Sequence, residues 1–256
     1  MDKPILRVNG LTKKFDGVTA VHDVAFEINR QEIVAVIGPN GAGKTTLFNM
    51  ISGIIKPTSG EILFRGQRVD GQPVHELATK GMRRTFQNLE TFNNMTVLEN
   101  VMLGAHTKLR TNVFRAALAR SVVRRDDRLA IDMAERALEL VGLLDRRNEK
   151  AGNLSYGLQK LLEVARTIVT EPSLILLDEP LAGLNDTESA MLASIIRKMK
   201  LQGCSFLFVE HDVHTVMKLA ERIVVMDFGS MIAQGTPAEV RSNPKVIKAY
   251  LGEEVQ

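Results

Sequence analysis

The sequence predicts an α/β protein built on a mainly parallel sheet, with an antiparallel β-rich start and an inserted helical segment. Three observations predict it. Short apolar runs alternate with helical patterns over much of the chain, which argues for parallel strands joined by helices. One run, Ile33-Val34-Ala35-Val36-Ile37, is continuous, as expected of a strand buried on both faces, and it feeds a glycine-rich loop. Another, Leu174-Ile175-Leu176-Leu177, ends in two adjacent carboxylates, Asp178 and Glu179.

The elements follow in order. Leu6-Arg7-Val8 and Val24 to Ile28 read as strands of an antiparallel start, with Asp16-Gly17 as a turn between them. After the glycine-rich loop, Thr46 to Ile51 has a helical pattern. Pro57-Thr58-Ser59-Gly60 is a turn, Glu61 to Phe64 a strand that stops at Gly66, and Met82 to Phe86 another strand. From about Thr96 to Val141 apolar residues recur at helical spacing, as at Ile131, Ala134, Leu138 and Val141. Leu158 to Val169 reads as a helix stopped by Pro172. Thr187 to Met199 and His214 to Leu219 read as helices, and Cys204 to Val209 and Ile223 to Met226 as strands.

The chain has 256 residues, enough for one domain with a substantial insertion and a sizeable core. Aromatic residues are 5% and Trp is absent, so Leu, Ile, Val and Met must build that core. A net charge of +3 is too small to name a nucleic-acid partner, and is compatible with an anionic membrane surface nearby. One cysteine, Cys204, permits no internal disulfide and suits a reducing compartment. Met1 to Ile5 lacks the apolar region of a signal peptide. No apolar stretch approaches the roughly 18 residues of a spanning helix, so membrane work requires docking on another chain.

Gly38-Pro39-Asn40-Gly41-Ala42-Gly43-Lys44-Thr45 fits G-x-x-x-x-G-K-[ST] in full, between a buried strand and a helix. Glycines let successive N–H groups curl toward phosphate oxygens, and the helix N-terminus adds partial positive charge. Lys44 is expected to reach the β- and γ-phosphates and Thr45 to bind Mg²⁺. In an open α/β sheet ligands gather at the carboxyl ends of strands. Asp178 is therefore expected to hold Mg²⁺, and Glu179 to polarise an attacking water as general base.

Phosphate loops of this kind serve many activities. Leu154-Ser155-Tyr156-Gly157-Leu158-Gln159, shortly before Glu179, resembles the LSGGQ-type signature of ABC ATPases, and the resemblance extends across nearly the whole chain. It identifies Gln87 as the Q-loop glutamine, His211 as the switch histidine and Leu181 to Asn185 as the D-loop. It implies an ABC ATPase: a P-loop NTPase core with an N-terminal antiparallel β-subdomain and an inserted helical subdomain. It places the core and β-subdomain in 1–95 and 171–256 and the helical subdomain in about 96–170. It implies ATP and Mg²⁺ as cofactors. Glu179, His211 and Gln87 are then catalytic, and Thr45, Gln87 and Asp178 serve the metal. Phe15 stacks on adenine, the run from Gly38 through Thr45 and Thr46 cradles phosphate, and Ser155 with Gly157 touches the ATP of an opposing subunit. Leu158 replaces the usual glutamine of the signature, Asn185 the usual Asp of the D-loop, and Phe15 the usual Tyr.

Gln87 to Phe92, Ala182 to Asn185, Glu210 to Val213 and the tail from Gly235 to Gly252 resemble the importer ATPases for branched-chain amino acids. That likeness implies a second ATPase subunit, identical or paralogous, two membrane-spanning permease subunits and, indirectly, an extracytoplasmic solute-binding protein. It places the chain at the cytoplasmic face of the inner membrane, with no nucleic-acid partner. Importers of urea, amides or aromatic acids look similar. A soluble ABC ATPase of DNA repair or translation and a nucleotide kinase with a phosphate loop are the other readings. Between Lys108 and Arg128, seven basic residues face two acids, Asp126 and Asp127. This is either a solvated face or a segment near anionic headgroups or the membrane subunit.

Overall fold

A computed structural model describes residues 3–85, 91–105 and 120–251, with side chains from 127 in the last segment and up to residue 250. The described chain forms two compact units. One comprises Met1–Arg84, Ser173–Ala182 and Arg197–Gln256; the other comprises Thr85–Pro172 and Gly183–Ile196.

The first unit holds two sheets. β1 (Leu6–Phe15) and β2 (Val18–Ile28) are antiparallel, and β4 (Ser59–Phe64) and β5 (Gln67–Arg68) complete a four-stranded sheet in the order β2-β1-β4-β5. The second sheet runs β10-β9-β3-β8-β7-β6. Its strands are β3 (Ile33–Ile37), β6 (Met82–Arg84), β7 (Leu174–Asp178), β8 (Ser205–Val209), β9 (Arg222–Asp227) and β10 (Ser230–Gly235). All pairings are parallel except that of β10 with β9. β3 and β8 are buried at every position, which explains their unbroken apolar sequences. Leu6, Leu11, Phe64, Val34, Val36, Phe48, Leu176, Leu207 and Val224 join both sheets and α1 (Lys44–Ile51) in one core.

The helices α2 (Val74–Lys80), α7 (Val213–Leu219), α8 (Pro237–Ser242) and α9 (Pro244–Leu251) also belong to this unit. α8 starts at a reciprocal cap, in which Thr236 accepts from the Glu239 N–H and Glu239 from the Thr236 N–H. α2, β5 and β10 carry little sequence signal, being short or half exposed.

The second unit is helical. α3 (Val97–Gly104), α4 (Arg120–Val141) and α5 (Tyr156–Ile168) pack on one another, and the start of α6 (Asp186–Leu201) joins them. Thr96 and Glu99 cap α3 reciprocally. The side chains of the basic segment between Lys108 and Arg124 lie outside the described residues, as does Gln87.

Candidate nucleotide site

The glycine-rich loop takes its shape from close backbone packing. A Cβ on Gly43, whose φ is +91°, would stand 2.4 Å from the Ala20 carbonyl oxygen; one on Gly38 would stand 2.1 Å from that of Met226. Only glycine fits either place, so the loop lies against both β2 and the end of β9. Lys44, the first residue of α1, is buried at 5% exposure. Its Nζ donates to the carbonyl oxygens of Gly38 and Pro39 at 2.7 and 2.8 Å. The ammonium is thus aimed back into the loop, within the ring of backbone groups suited to phosphate. Asn40, Gly41 and Thr45 are exposed, Pro39 and Ala42 are buried, and Thr46 is half-buried.

The ends of β7 and β8 bring the next groups together. Asp178 pairs with Val209 in parallel register, so the residues that follow leave the sheet side by side. Glu179 keeps a backbone bond to the Val209 carbonyl at 3.0 Å, then turns with φ +47°. A non-glycine residue in this left-handed region is strained, and such strain clusters at functional sites. His211 Nε2 lies 2.7 Å from Glu179 Oε1. Between them in sequence, Glu210 is buried at 5% exposure, and its Oε1 accepts the Leu181 N–H at 2.8 Å. That bond fixes the turn after Glu179 to the segment carrying His211. Asp212 caps α7 by accepting the His214 N–H at 3.0 Å. The Thr215 hydroxyl holds its carboxyl below the usual carboxylate range, and the backbone N–H groups of His214 and Thr215 act the same way.

Asp178 has a partner that its sequence position does not announce. Arg84 Nη2 donates to its Oδ2 at 2.6 Å, and Arg84 Nη1 donates to Asn49 Oδ1 and Ser52 Oγ, each at 2.7 Å. The guanidinium also lies 4.8 Å from the centroid of the Phe48 ring. α1, β6 and β7 are thereby tied together.

Among the described residues no group of three or more His, Cys, Asp or Glu side chains stands ready to hold a metal by itself. Thr45 and Asp178 offer one hydroxyl and one carboxylate. That donor set suits Mg²⁺, which commonly takes one or two protein oxygens and fills its shell with phosphate and water. Phe15 is 44% exposed at the β1–β2 turn, with Lys13 Nζ 4.9 Å from its ring centroid.

In the helical unit, Ser155 is the N-cap of α5, and its Oγ accepts from the Leu158 N–H at 3.5 Å. The side-chain amide of Gln159 folds back past that end and donates to the carbonyls of Leu154 and Ala151 at 3.1 and 3.4 Å. Asn185 caps α6: its Oδ1 accepts the Glu188 N–H at 2.9 Å, and Glu188 Oε2 accepts the Asn185 N–H at 3.1 Å. Glu188 also bears on Gly157, where a Cβ would meet Glu188 Oε1 at 2.0 Å. Tyr156 borders Gly183 in the same way, a Cβ there lying 3.0 Å from its ring. The signature segment and the start of α6 are therefore one packed assembly. Glu188 was not legible as part of it, although Asn185-x-x-Glu188 is a capping pattern.

Comparison with known proteins agrees with this fold. The family profile described as ABC transporter matches residues 21–182, and the profile described as branched-chain amino acid ATP-binding cassette transporter matches 230–256. The chain is 46% identical over 254 residues to the high-affinity branched-chain amino acid transport ATP-binding protein LivG of Escherichia coli, covering 99% of this chain and 100% of that protein. It is 44% identical over 254 residues to BraF of Pseudomonas aeruginosa, a protein of the same description, again covering 99% and 100%. Among solved structures, the ADP conformation of an ATP-binding cassette of an ABC transporter matches with a TM-score of 0.85 at 30% identity, covering 98% of this chain and 100% of that one. A nucleotide-free ATP-binding cassette matches with a TM-score of 0.84 at 30% identity, covering 97% and 99%. The chain belongs to the ATP-binding subunits of ABC transporters, an ATPase family, and stands among the LivG- and BraF-type proteins.

Proposed function

We propose that the chain binds ATP with Mg²⁺ at the loop after β3, hydrolyses it, and thereby energises import of branched-chain amino acids through membrane-spanning partners. The observation that carries the reading is the meeting of Glu179 with His211 at the strand ends beside a complete phosphate loop, in a chain alignable end to end with LivG.

Lys44 and the N–H groups of Gly38 and of residues 40–46 bind the phosphates, and Pro39, which has no N–H, shapes the loop between them. Thr45, Asp178 and Gln87 are the residues that would hold Mg²⁺, which neutralises phosphate charge when bound. Glu179 accepts a proton from the attacking water, with His211 orienting its carboxylate. Phe15 packs on the base. Ser155 and Gly157, at the N-terminus of α5, offer donors to the γ-phosphate held by a second ATPase subunit. Residues 1–95 and 171–256 make up the nucleotide core with its β-subdomain, and about 96–170 the helical subdomain. No described helix is long and apolar enough to cross a membrane, which fits a peripheral subunit on the cytoplasmic face of the inner membrane. An extracytoplasmic solute-binding protein would act through the permeases.

The test is reconstitution of the chain with its two membrane subunits and a second ATPase subunit in vesicles. ATP-dependent uptake of leucine, isoleucine or valine, lost in Glu179→Gln, is the expected result. Uptake of urea or an amide instead would reassign the solute, and ATP turnover without any membrane partner binding would overturn the transport reading.

A further inference from the structure

Phe228 occupies a position where turn chemistry selects a different residue. β9 and β10 are joined by Phe228–Gly229, closed by the Asp227–Ser230 pair. Both loop residues have positive φ, 42° and 79°, the pattern of a type I′ turn, which favours Asn-Gly or Asp-Gly. A bulky side chain at positive φ is an outlier. Burial does not account for it, since Phe228 is 91% exposed.

The surroundings of the turn supply a reason. The Gly229 N–H donates to the Ala42 carbonyl at 3.1 Å, and the Gly229 carbonyl accepts the His22 N–H at 2.8 Å. The turn is thus fastened both to the phosphate loop and to β2. β2 runs from His22 back to Val18, which pairs with Phe15; these two are 68% and 44% exposed. Sheet order then sets a direction. β7, with Asp178 and Glu179, lies beyond β8 on one side of β3, whereas β9 adjoins β3 on the other. A nucleotide whose terminal phosphate faces Glu179 carries its base toward the β9 side, where the Phe228 and Phe15 turns both stand.

We propose that Phe228 is a second aromatic contact for the nucleotide base, flanking it together with Phe15. The proposal rests on the ATP-binding reading above. A purine has two flat, weakly polar faces, and covering an exposed phenyl ring with one removes apolar surface from water on both partners.

Phe228→Asn separates this role from folding, because Asn suits the turn better. Its melting temperature should equal or exceed that of the parent chain. Affinity for ATP, measured by calorimetry with EDTA present to prevent turnover, should fall by about threefold to tenfold. Affinity for inorganic tripolyphosphate, which has no base, should not change, and Phe228→Tyr should keep the parent affinity for ATP. Equal ATP affinity in Phe228→Asn and the parent would overturn the proposal, and so would an equal loss for ATP and tripolyphosphate, which would mark a disturbed phosphate loop. A parent chain that binds no ATP would instead overturn the nucleotide reading itself.

Discussion

Arg84 Nη2 stands 2.6 Å from Asp178 Oδ2, and both side chains are nearly buried, at 7% and 10% exposure. One guanidinium therefore carries the aspartate at the end of β7, two polar groups of the α1 region and one face of Phe48. Removing one partner of such a pair leaves the other charge uncompensated. Arg84→Ala should cost about 3–5 kcal/mol of stability, measured by urea unfolding. A loss below about 1 kcal/mol would show that the pair behaves as an exposed one.

Glu179 and His211 should separate binding from chemistry. Glu179→Gln is expected to bind ATP as the parent chain does while turnover falls about 10²–10⁴-fold. His211→Ala should lower turnover too, with little change in nucleotide affinity, because its contact is to the carboxylate. Steady-state hydrolysis and equilibrium nucleotide binding on both variants would check this, and full turnover in Glu179→Gln would remove Glu179 from the mechanism.

Gly157→Ala tests the contact with Glu188. A methyl there would overlap Glu188 Oε1 and push the carboxylate from its bond to the Asn185 N–H. Loss of a cap costs about 1 kcal/mol, and Ala in place of Gly in a helix returns a similar amount. Thermal stability should thus change little while ATP-driven dimerisation of the Glu179→Gln background declines. Parent-like dimerisation, followed by light scattering, would show that this contact does not matter to the signature segment.

Acid sensitivity should trace partly to Glu32. Burial works to raise its pKa, but the hydrogen bond and charge of Arg222, with the Asn29 N–H, leave it below its ordinary 4.5. Arg222 Nε lies 2.7 Å from Glu32 Oε1. A folded-state pKa below the unfolded one stabilises the fold above the unfolded value, and that stability is lost as pH falls through the folded value. Arg222→Ala should therefore lower the melting temperature near neutral pH and flatten its decline below about pH 4.5. Parallel melting curves for both proteins from pH 7 to pH 3 would argue against the pair.

What the sequence reveals depends on how local each signal is. β3 was readable because all five of its residues are buried, leaving no polar alternation to confuse the pattern. The phosphate loop was readable because its residue pattern falls within eight consecutive positions, although Ala20 and Met226 help to hold its shape. Arg84 was not, because its partner Asp178 lies 94 residues away and nothing near either residue announces the pair. Gly157 and Glu188 meet through packing in the same way. β10 escaped because its Ser230–Gly235 run is half exposed at a sheet edge and lacks a clear apolar alternation. The fold class thus follows from the sequence alone, whereas the supports of the site emerge only with tertiary structure.

The pairing of β3 bears on how the protein is made. Val36 takes Val209 as neighbour on one side and Val224 on the other. A chain growing from its N-terminus therefore releases its most apolar strand long before either neighbour exists, and the loop after it cannot rest on Met226 until then. Such long-range closure is slow and leaves unpaired edges open to aggregation. Translation halted shortly before residue 222 should yield a product that has an intact loop sequence yet leaves the β9 side of β3 as an unpaired edge for chaperones and proteases to seize.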